Sequence, residues 1–404
     1  MRVQRVFIFT LSVSVIILSV INCGYDGPVA MYNQKHITGN PPSITQILPD
    51  SAVTGVNFIN IEGENFSENL DSNEVYIDGN KAEIVEHSST SLTIRRPNCA
   101  GDSTKVVVSV FGAVDIASYT PYPIAEVYSA YGKFLSGATI GAMVVDDDEN
   151  VYVIENNLTH YIYKVTPDGE KTVIGQETIN VYDAAFSPDG NLVTFIRNKD
   201  IHILDIVNGV DTVAVWTQAR DRVTHGDFDS NGNLFTSGAK SSDLMVVDQT
   251  LSCRDLDLYA SDEILWIDVV GDYIYLLVEL SAPDAANPEL AIWRHEILDA
   301  DGNLGSRQLV LDWSTTGEFA ESTPKTFTVA GNNSIFIGTD YEQPILFLNS
   351  DWQSAGIVYK DILPTSAEKL GFGSGNYLYM VLNGETWDLL RIDVGDPDDR
   401  DFEG

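Results

Sequence analysis

From about residue 125 to the end the chain repeats itself. An apolar strand, an acidic or Gly/Asn turn and a second apolar strand recur, each time followed by a weaker strand pair. Aligned on the start of the second strand, the units fall at Val151, Leu192, Leu234, Ile274, Ile335 and Leu378, at intervals of 41, 42, 40, 61 and 43 residues. A period of about 40–45 residues with four strands per unit is the mark of a β-propeller blade, a unit that cannot bury its own faces and must stack on neighbours. Six anchors imply six blades over residues 125–395. The long interval belongs to the fourth, with loops inserted at 281–290 and 299–305. The short stretch 124–135, ahead of the first full blade, is expected to donate a closing strand to the sixth. The acidic segment 396–404 reads as a disordered tail.

A different pattern precedes the repeat. From Pro42, short alternating strands are separated by turn residues, the signature of a β-sandwich. Pro42, Ile44, Ile47 and Pro49 lead through Gly55 to Ile59, Ile61, Gly63 and Phe66. There follow Val75-Tyr76-Ile77-Asp78-Gly79, then Ser91-Leu92-Thr93-Ile94 ending at Pro97, then the run from Lys105 to Val110. In this order the anchors resemble an IPT/TIG domain, an immunoglobulin-like module, over residues 42–124. Ile59 and Ile61 fall on one face of their strand, Asn60 and Glu62 on the other. The resemblance implies a spacer or adhesion unit, and no catalytic constellation is found within it. Tyr122-Pro123 marks the expected boundary with the repeat.

The first residues read as an address. Arg2 and Arg5 precede an apolar run from Val6 to Ile21, which stops at Asn22-Cys23. That run is shorter than the ~20 residues a helix needs to cross a bilayer, so residues 1–22 are expected to be an export signal. Its end, Val20-Ile21-Asn22-Cys23, resembles a bacterial lipobox, which implies acylation of Cys23. Asn22 departs from the small residue usual before that cysteine. Residues 23–41, rich in Gly, Pro and Asn, are expected to form a flexible tether. Cys99 and Cys253 lie in different predicted domains, so no disulfide is expected between them.

Charge narrows the partners. With 59 acidic and 23 basic residues the formal net charge is -36. Phosphate binding needs Lys and Arg to displace counterions, so nucleic acid and anionic lipid are excluded, and the membrane is met only through a lipid anchor. No cofactor motif is present, and no cofactor is expected.

The inner turns 146–150, 187–191 and 229–233 resemble those of NHL-type propellers. Their alternating Asp and Asn side chains suit calcium, yet Asp/Asn-Gly is also what a tight hairpin requires, and no bidentate Glu follows at the EF-hand distance. No metal is expected there.

Counting nine and ten residues back from each anchor reaches the start of the innermost strand at one channel mouth. These positions are Gly141 and Ala142, Tyr182 and Asp183, Thr224 and His225, Lys325 and Thr326, and Glu368 and Lys369, with Trp266 near the equivalent place in blade four. The loop 281–290 is expected at the same mouth. A lactonase-like site, resembling the gluconolactonase family, would need Glu, Asn and Asp around one cation. The ring supplies no Asn, and Lys325 and Lys369 oppose a cation. No nucleophile elbow or Ser partner for His225 is found either.

The ring suits binding better: Tyr182, Trp266 and His225 as stacking platforms, with Asp183, Thr326 and Lys369 as hydrogen-bonding groups. Trp266 equally suits inter-blade packing, and His225 a structural hydrogen bond. The expectation is an all-β envelope lipoprotein: a small immunoglobulin-like sandwich, then a six-bladed NHL-like propeller. It resembles accessory glycan-binding proteins that serve an outer-membrane transporter. That resemblance implies a neutral glycan or other small neutral ligand, a lipid anchor at Cys23 and a cell-surface, outer-membrane location. The alternatives are an envelope scaffold for another protein and an extracytoplasmic metal-dependent lactonase-like hydrolase.

Overall fold

A computed structural model describes residues 39–134, 139–196, 199–238, 243–382, 388–396, 400 and 402. The signal, Cys23 and nearly all of the tether lie outside the described residues. No helix among the described residues is long and apolar enough to cross a membrane.

Among these residues the chain forms eight four-stranded sheets. Two make the sandwich. One orders its strands Ser43–Leu48, Phe58–Glu64, Ser91–Arg95, Ile84–His87; the other Asn80–Ala82, Asn73–Ile77, Gly101–Val110, Ala117–Ile124. Ile59, Ile61, Val75, Ile77, Leu92, Ile94, Val106 and Val108 alternate inward along their strands and fill the space between the sheets. Gly63 has a packing reason: a side chain there would run into Ser43 O and the Phe66 ring. The last strand runs to Ile124, one residue past Tyr122-Pro123, and Pro123 is exposed. Tyr122 is buried and its carbonyl accepts the Thr104 hydroxyl.

Six antiparallel sheets follow as blades, the first five simple meanders. Every sequence anchor lies in the second strand of its blade, at its first or second residue. The fourth blade carries the loops at 281–290 and 299–305. Its interval is lengthened further by two 3-10 turns, Trp313–Thr315 and Gly317–Phe319, which the periodicity did not reveal. Trp313 and Phe319 are buried in that blade's core, so the insertion is packed rather than looped out.

The ring closes in two ways. Tyr128–Tyr131 pairs antiparallel with Leu389–Asp393, so the strand that precedes blade one becomes the outer strand of blade six. Glu149, in the inner turn of blade one, accepts the Gly375 N–H at 2.6 Å and the Tyr379 hydroxyl at 2.9 Å, both in blade six. Of the acidic segment 396–404, the described Arg400 and Phe402 contact the propeller. Phe402 is fully buried against Tyr359 and Phe347, and Arg400 Nε donates to Val394 O at 3.0 Å. Charge counting passes over this aromatic residue among the acids.

Sandwich and propeller touch. The Gly55 N–H donates to the Tyr359 hydroxyl, which donates to Asp393 O, both at 2.6 Å. Gly55 and Gly395 meet backbone to backbone, and a Cβ on Gly395 would lie 2.6 Å from Thr54 O. Cys99 and Cys253 are free thiols.

Candidate functional site

The six innermost strands are Ile140–Val145, Asp183–Phe186, His225–Phe228, Glu263–Val270, Pro324–Val329 and Ala367–Phe372. In each, one residue pairs with the position three past its blade's anchor. The pairs are Ala142 with Ile154, Asp183 with Phe195, His225 with Ser237, Trp266 with Leu277, Thr326 with Gly338 and Lys369 with Val381. Equal register sets these six at one level around the axis. In four blades the ladder slips just before this level, leaving Gly141, Leu265, Lys325 and Glu368 out of the pairing. Such bulges bend a strand and re-aim its side chains.

At this level the side chains fill the channel with one another. Lys369 Nζ donates to Tyr182 O at 2.7 Å and sits 4.6 Å from the centre of the Trp266 ring. The His225 ring lies 5.0 Å from Trp266, tilted by 51°. His225 Nδ1 is 3.7 Å from Asp183 Oδ2, an electrostatic contact too long for a hydrogen bond. Asp183 Oδ2 accepts the Gly226 N–H at 3.4 Å, and Thr326 Oγ1 accepts the Leu370 N–H at 3.4 Å. Trp266 is only 7% exposed and packs in the core of blades four and five with Phe319 and Phe327. It is therefore a packed ring under Lys369 and His225, not an open stacking platform at the expected mouth. Burial lowers the pKa of both His225 and Lys369, and Asp183 acts against it in each case.

Two residues further along each strand lies a second level: Val144, Ala185, Asp227, Asp268, Thr328 and Gly371. Asp227 Oδ2 accepts the Val269 N–H at 2.8 Å, and Asp268 Oδ2 accepts the Val329 N–H at 2.7 Å. A pattern emerges across the two levels. Asp183, Asp227 and Asp268 each reach into the following blade and take a backbone N–H from its inner strand, whose inward edge has no strand partner. Both Asp227 and Asp268 touch the channel, but protein encloses them. Burial holds the two carboxyls well above the usual carboxylate range, and for Asp268 the Asp227 charge adds to it.

These acids and Thr328 wall a cavity of about 370 Å³, with Asp183 and Trp266 in its lining and Phe186, Phe228 and Phe372 toward its rim. Those Phe residues end their inner strands. The cavity therefore opens where the inner hairpin turns lie, on the far side of the Lys369 plug from the mouth the sequence pointed to. The sequence reading missed Asp227, Asp268 and the three Phe. Reading the same six strands two and three residues further along would have found them. The loop 281–290 lines a separate hollow of about 590 Å³, formed by blade-four residues and Trp313 and Ala320 of the insertion.

The acidic inner turns use their own side chains. Asp146 Oδ1 accepts the backbone N–H of Asp148 and Asn150, and Asp229 Oδ1 those of Asn231 and Asn233, at 2.7–3.0 Å. Gly190 and Gly232 take φ of +82° and +87°, the left-handed geometry a tight turn needs. Among the described residues no group of three His, Cys, Asp or Glu side chains is placed to hold a metal ion.

Comparison with known proteins agrees with this architecture. Residues 42–123 match the IPT/TIG domain family. The crystal structure of an auxiliary nutrient binding protein from Bacteroides thetaiotaomicron matches 87% of this chain and 97% of its own, with a TM-score of 0.52 at 13% identity. Another auxiliary nutrient binding protein, from Bacteroides ovatus, matches over 88% and 98%, with a TM-score of 0.50 at 13% identity. A luciferin-regenerating enzyme covers 66% of this chain and 94% of its own, with a TM-score of 0.50 at 11% identity. At such identities the likeness is one of fold. No curated protein matches the chain. The class is settled at that level: an all-β protein in which an IPT/TIG domain precedes a propeller-like repeat fold.

Proposed function

We propose that this chain is a non-catalytic capture protein of the cell envelope, lipid-anchored at Cys23, which holds a neutral glycan or similar small ligand in the propeller channel. The observation that carries the reading is the cavity beyond the Lys369 plug, about 370 Å³ in volume. Phe186, Phe228 and Phe372 offer apolar surface for the C–H faces of a sugar, while Asp227, Asp268 and Thr328 offer partners for its hydroxyls. In this reading Asp183 and Trp266 form the floor, and Tyr182, His225, Thr326 and Lys369 hold that floor in place. The same polar groups are engaged with neighbouring blades, an arrangement suited to shaping a pocket rather than to moving protons. Further support comes from the likeness, along nearly the whole chain, to two auxiliary nutrient binding proteins. An outer-membrane transporter or another envelope protein would then receive the ligand.

A glycan array followed by titration calorimetry on the mature chain tests this. Asp268→Ala, which removes a wall carboxyl, should weaken capture by about tenfold, the loss of roughly one hydrogen bond. Chelator-sensitive opening of aldonolactones by the purified chain would transfer the assignment to a hydrolase. Capture of an envelope protein with no glycan bound would leave the scaffold reading in its place.

A further inference from the structure

Most exposed apolar side chains of this protein are scattered singly, which is ordinary for a soluble surface. One group is not scattered. The hairpin tip between Gly101–Val110 and Ala117–Ile124 carries Phe111, Val114 and Ile116, which are 79%, 61% and 54% exposed. The exposed Leu70 begins the turn Leu70–Ser72, whose Ser72 carbonyl accepts the Phe111 N–H at 2.8 Å. The tip's one charged residue, Asp115, accepts the neighbouring Ile116 N–H at 2.8 Å. None of the four apolar residues belongs to the sandwich core, so folding gives no reason for them. Contiguous exposed apolar surface of this kind marks a contact site.

Two facts locate the tip. The first is where the described chain begins. Gly39 N donates to Gly112 O at 2.9 Å, and Val114 N donates to Gly39 O at 3.2 Å, so the entering chain is bonded to the tip itself. Fifteen residues separate Gly39 from Cys23. Fully extended, a stretch of that length reaches at most ~55 Å. The second is direction. The strand Ala117–Ile124 starts at the tip and ends where the chain enters the propeller. Eight residues at ~3.3 Å each put about 25 Å of sandwich between the two. The described chain therefore begins at the tip, and the propeller follows from the other end of the strand.

We infer that the 111–116 tip is a membrane-seating element, in which Phe111, Val114, Ile116 and Leu70 enter the headgroup layer of the bilayer that holds Cys23. This rests on the lipid-anchor reading of Cys23. Apolar side chains at that boundary leave water, and the gain adds to that of the acyl chain. The surface that fits is zwitterionic, since a net charge of -36 disfavours an anionic one and the tip carries no Lys or Arg to offset it. Seated this way the sandwich acts as a post, with the propeller directed away from the membrane.

The test uses acylated full-length protein on phosphatidylcholine vesicles, in a Cys99→Ser, Cys253→Ser background. A polarity-sensitive fluorophore is placed on Val114→Cys and, as a control, on Val207→Cys in an exposed turn of blade two. The 114 probe is expected to shift to the blue on vesicles and to be quenched at least fivefold more by a bilayer-embedded quencher than the 207 probe. Adding Phe111→Ser and Ile116→Ser should abolish that difference while the melting temperature stays unchanged. A 114 probe that remains in water on vesicle-bound protein overturns the seating and leaves the anchor standing. Protein that washes off the vesicles overturns the anchor and the seating with it. A blue shift on envelope fragments but not on pure lipid assigns the tip to a protein partner and likewise overturns the inference.

Discussion

Lys369 reaches across the channel to the carbonyl of Tyr182, so that one buried ammonium joins blade six to blade two at 2.7 Å. Its charge lies over the Trp266 ring, 4.6 Å from the centroid, and near Asp183. A cation so placed excludes a second one from this level, and it turns what would be a mouth into a floor.

Trp266 should matter to stability first. Its ring is enclosed by Lys369, His225 and the core of blades four and five, so Trp266→Ala should cost about 3–5 kcal/mol in denaturant unfolding. An unchanged midpoint would mean that the ring faces water after all.

Stability should also respond to Asp227 through pH. Its pKa is raised to about 7 by burial in the folded chain. Between the ordinary carboxylate value and that figure the folded state binds more protons than the unfolded one, so stability falls as pH rises through this window. Asn cannot ionise, yet its side-chain oxygen can still accept the Val269 N–H. Asp227→Asn should therefore raise the unfolding midpoint more at pH 8 than at pH 4. Equal shifts at the two pH values would remove the burial argument.

The contact between sandwich and propeller depends on Tyr359. Tyr359→Phe leaves the Gly55 N–H and Asp393 O without their hydroxyl partner, a loss of about 1–3 kcal/mol. Calorimetry should then show the two parts melting further apart in temperature than in the parent. Gly395→Ala, at φ +70° and pressed against Thr54 and Gly55, should act in the same direction.

Phe402 is buried against the propeller. Phe402→Ala should lower stability by about 3–5 kcal/mol, because the ring is fully buried against Tyr359 and Phe347. If truncation after residue 395 leaves the melting temperature unchanged, the segment contributes nothing to the fold.

Much of the architecture was legible because it is periodic. The anchors from Val151 to Leu378 fall within the second strands, and the strand at Tyr128–Tyr131 closes blade six as its position ahead of blade one implies. The site was legible in part. Asp183, His225, Trp266, Thr326 and Lys369 do share one level, because a fixed count back from an anchor is a fixed register in an antiparallel hairpin. Which way each side chain is committed was not legible. Trp266 has the same spacing whether it meets solvent or Lys369.

By itself the sequence determined what depends on local order along the chain: strand after strand, turn after turn, an immunoglobulin-like unit and then six blades. Hairpin pairing joins neighbours in sequence, so the period of the hydrophobic pattern carries it. Only the tertiary structure decided what depends on blades far apart in the chain meeting around one axis. Lys369 finds Tyr182 across 187 residues, and Glu149 finds Tyr379 across 230. Ring closure, not any local preference, brings them within hydrogen-bond reach, and so it is the closure that places the floor of the channel and the side on which its cavity opens.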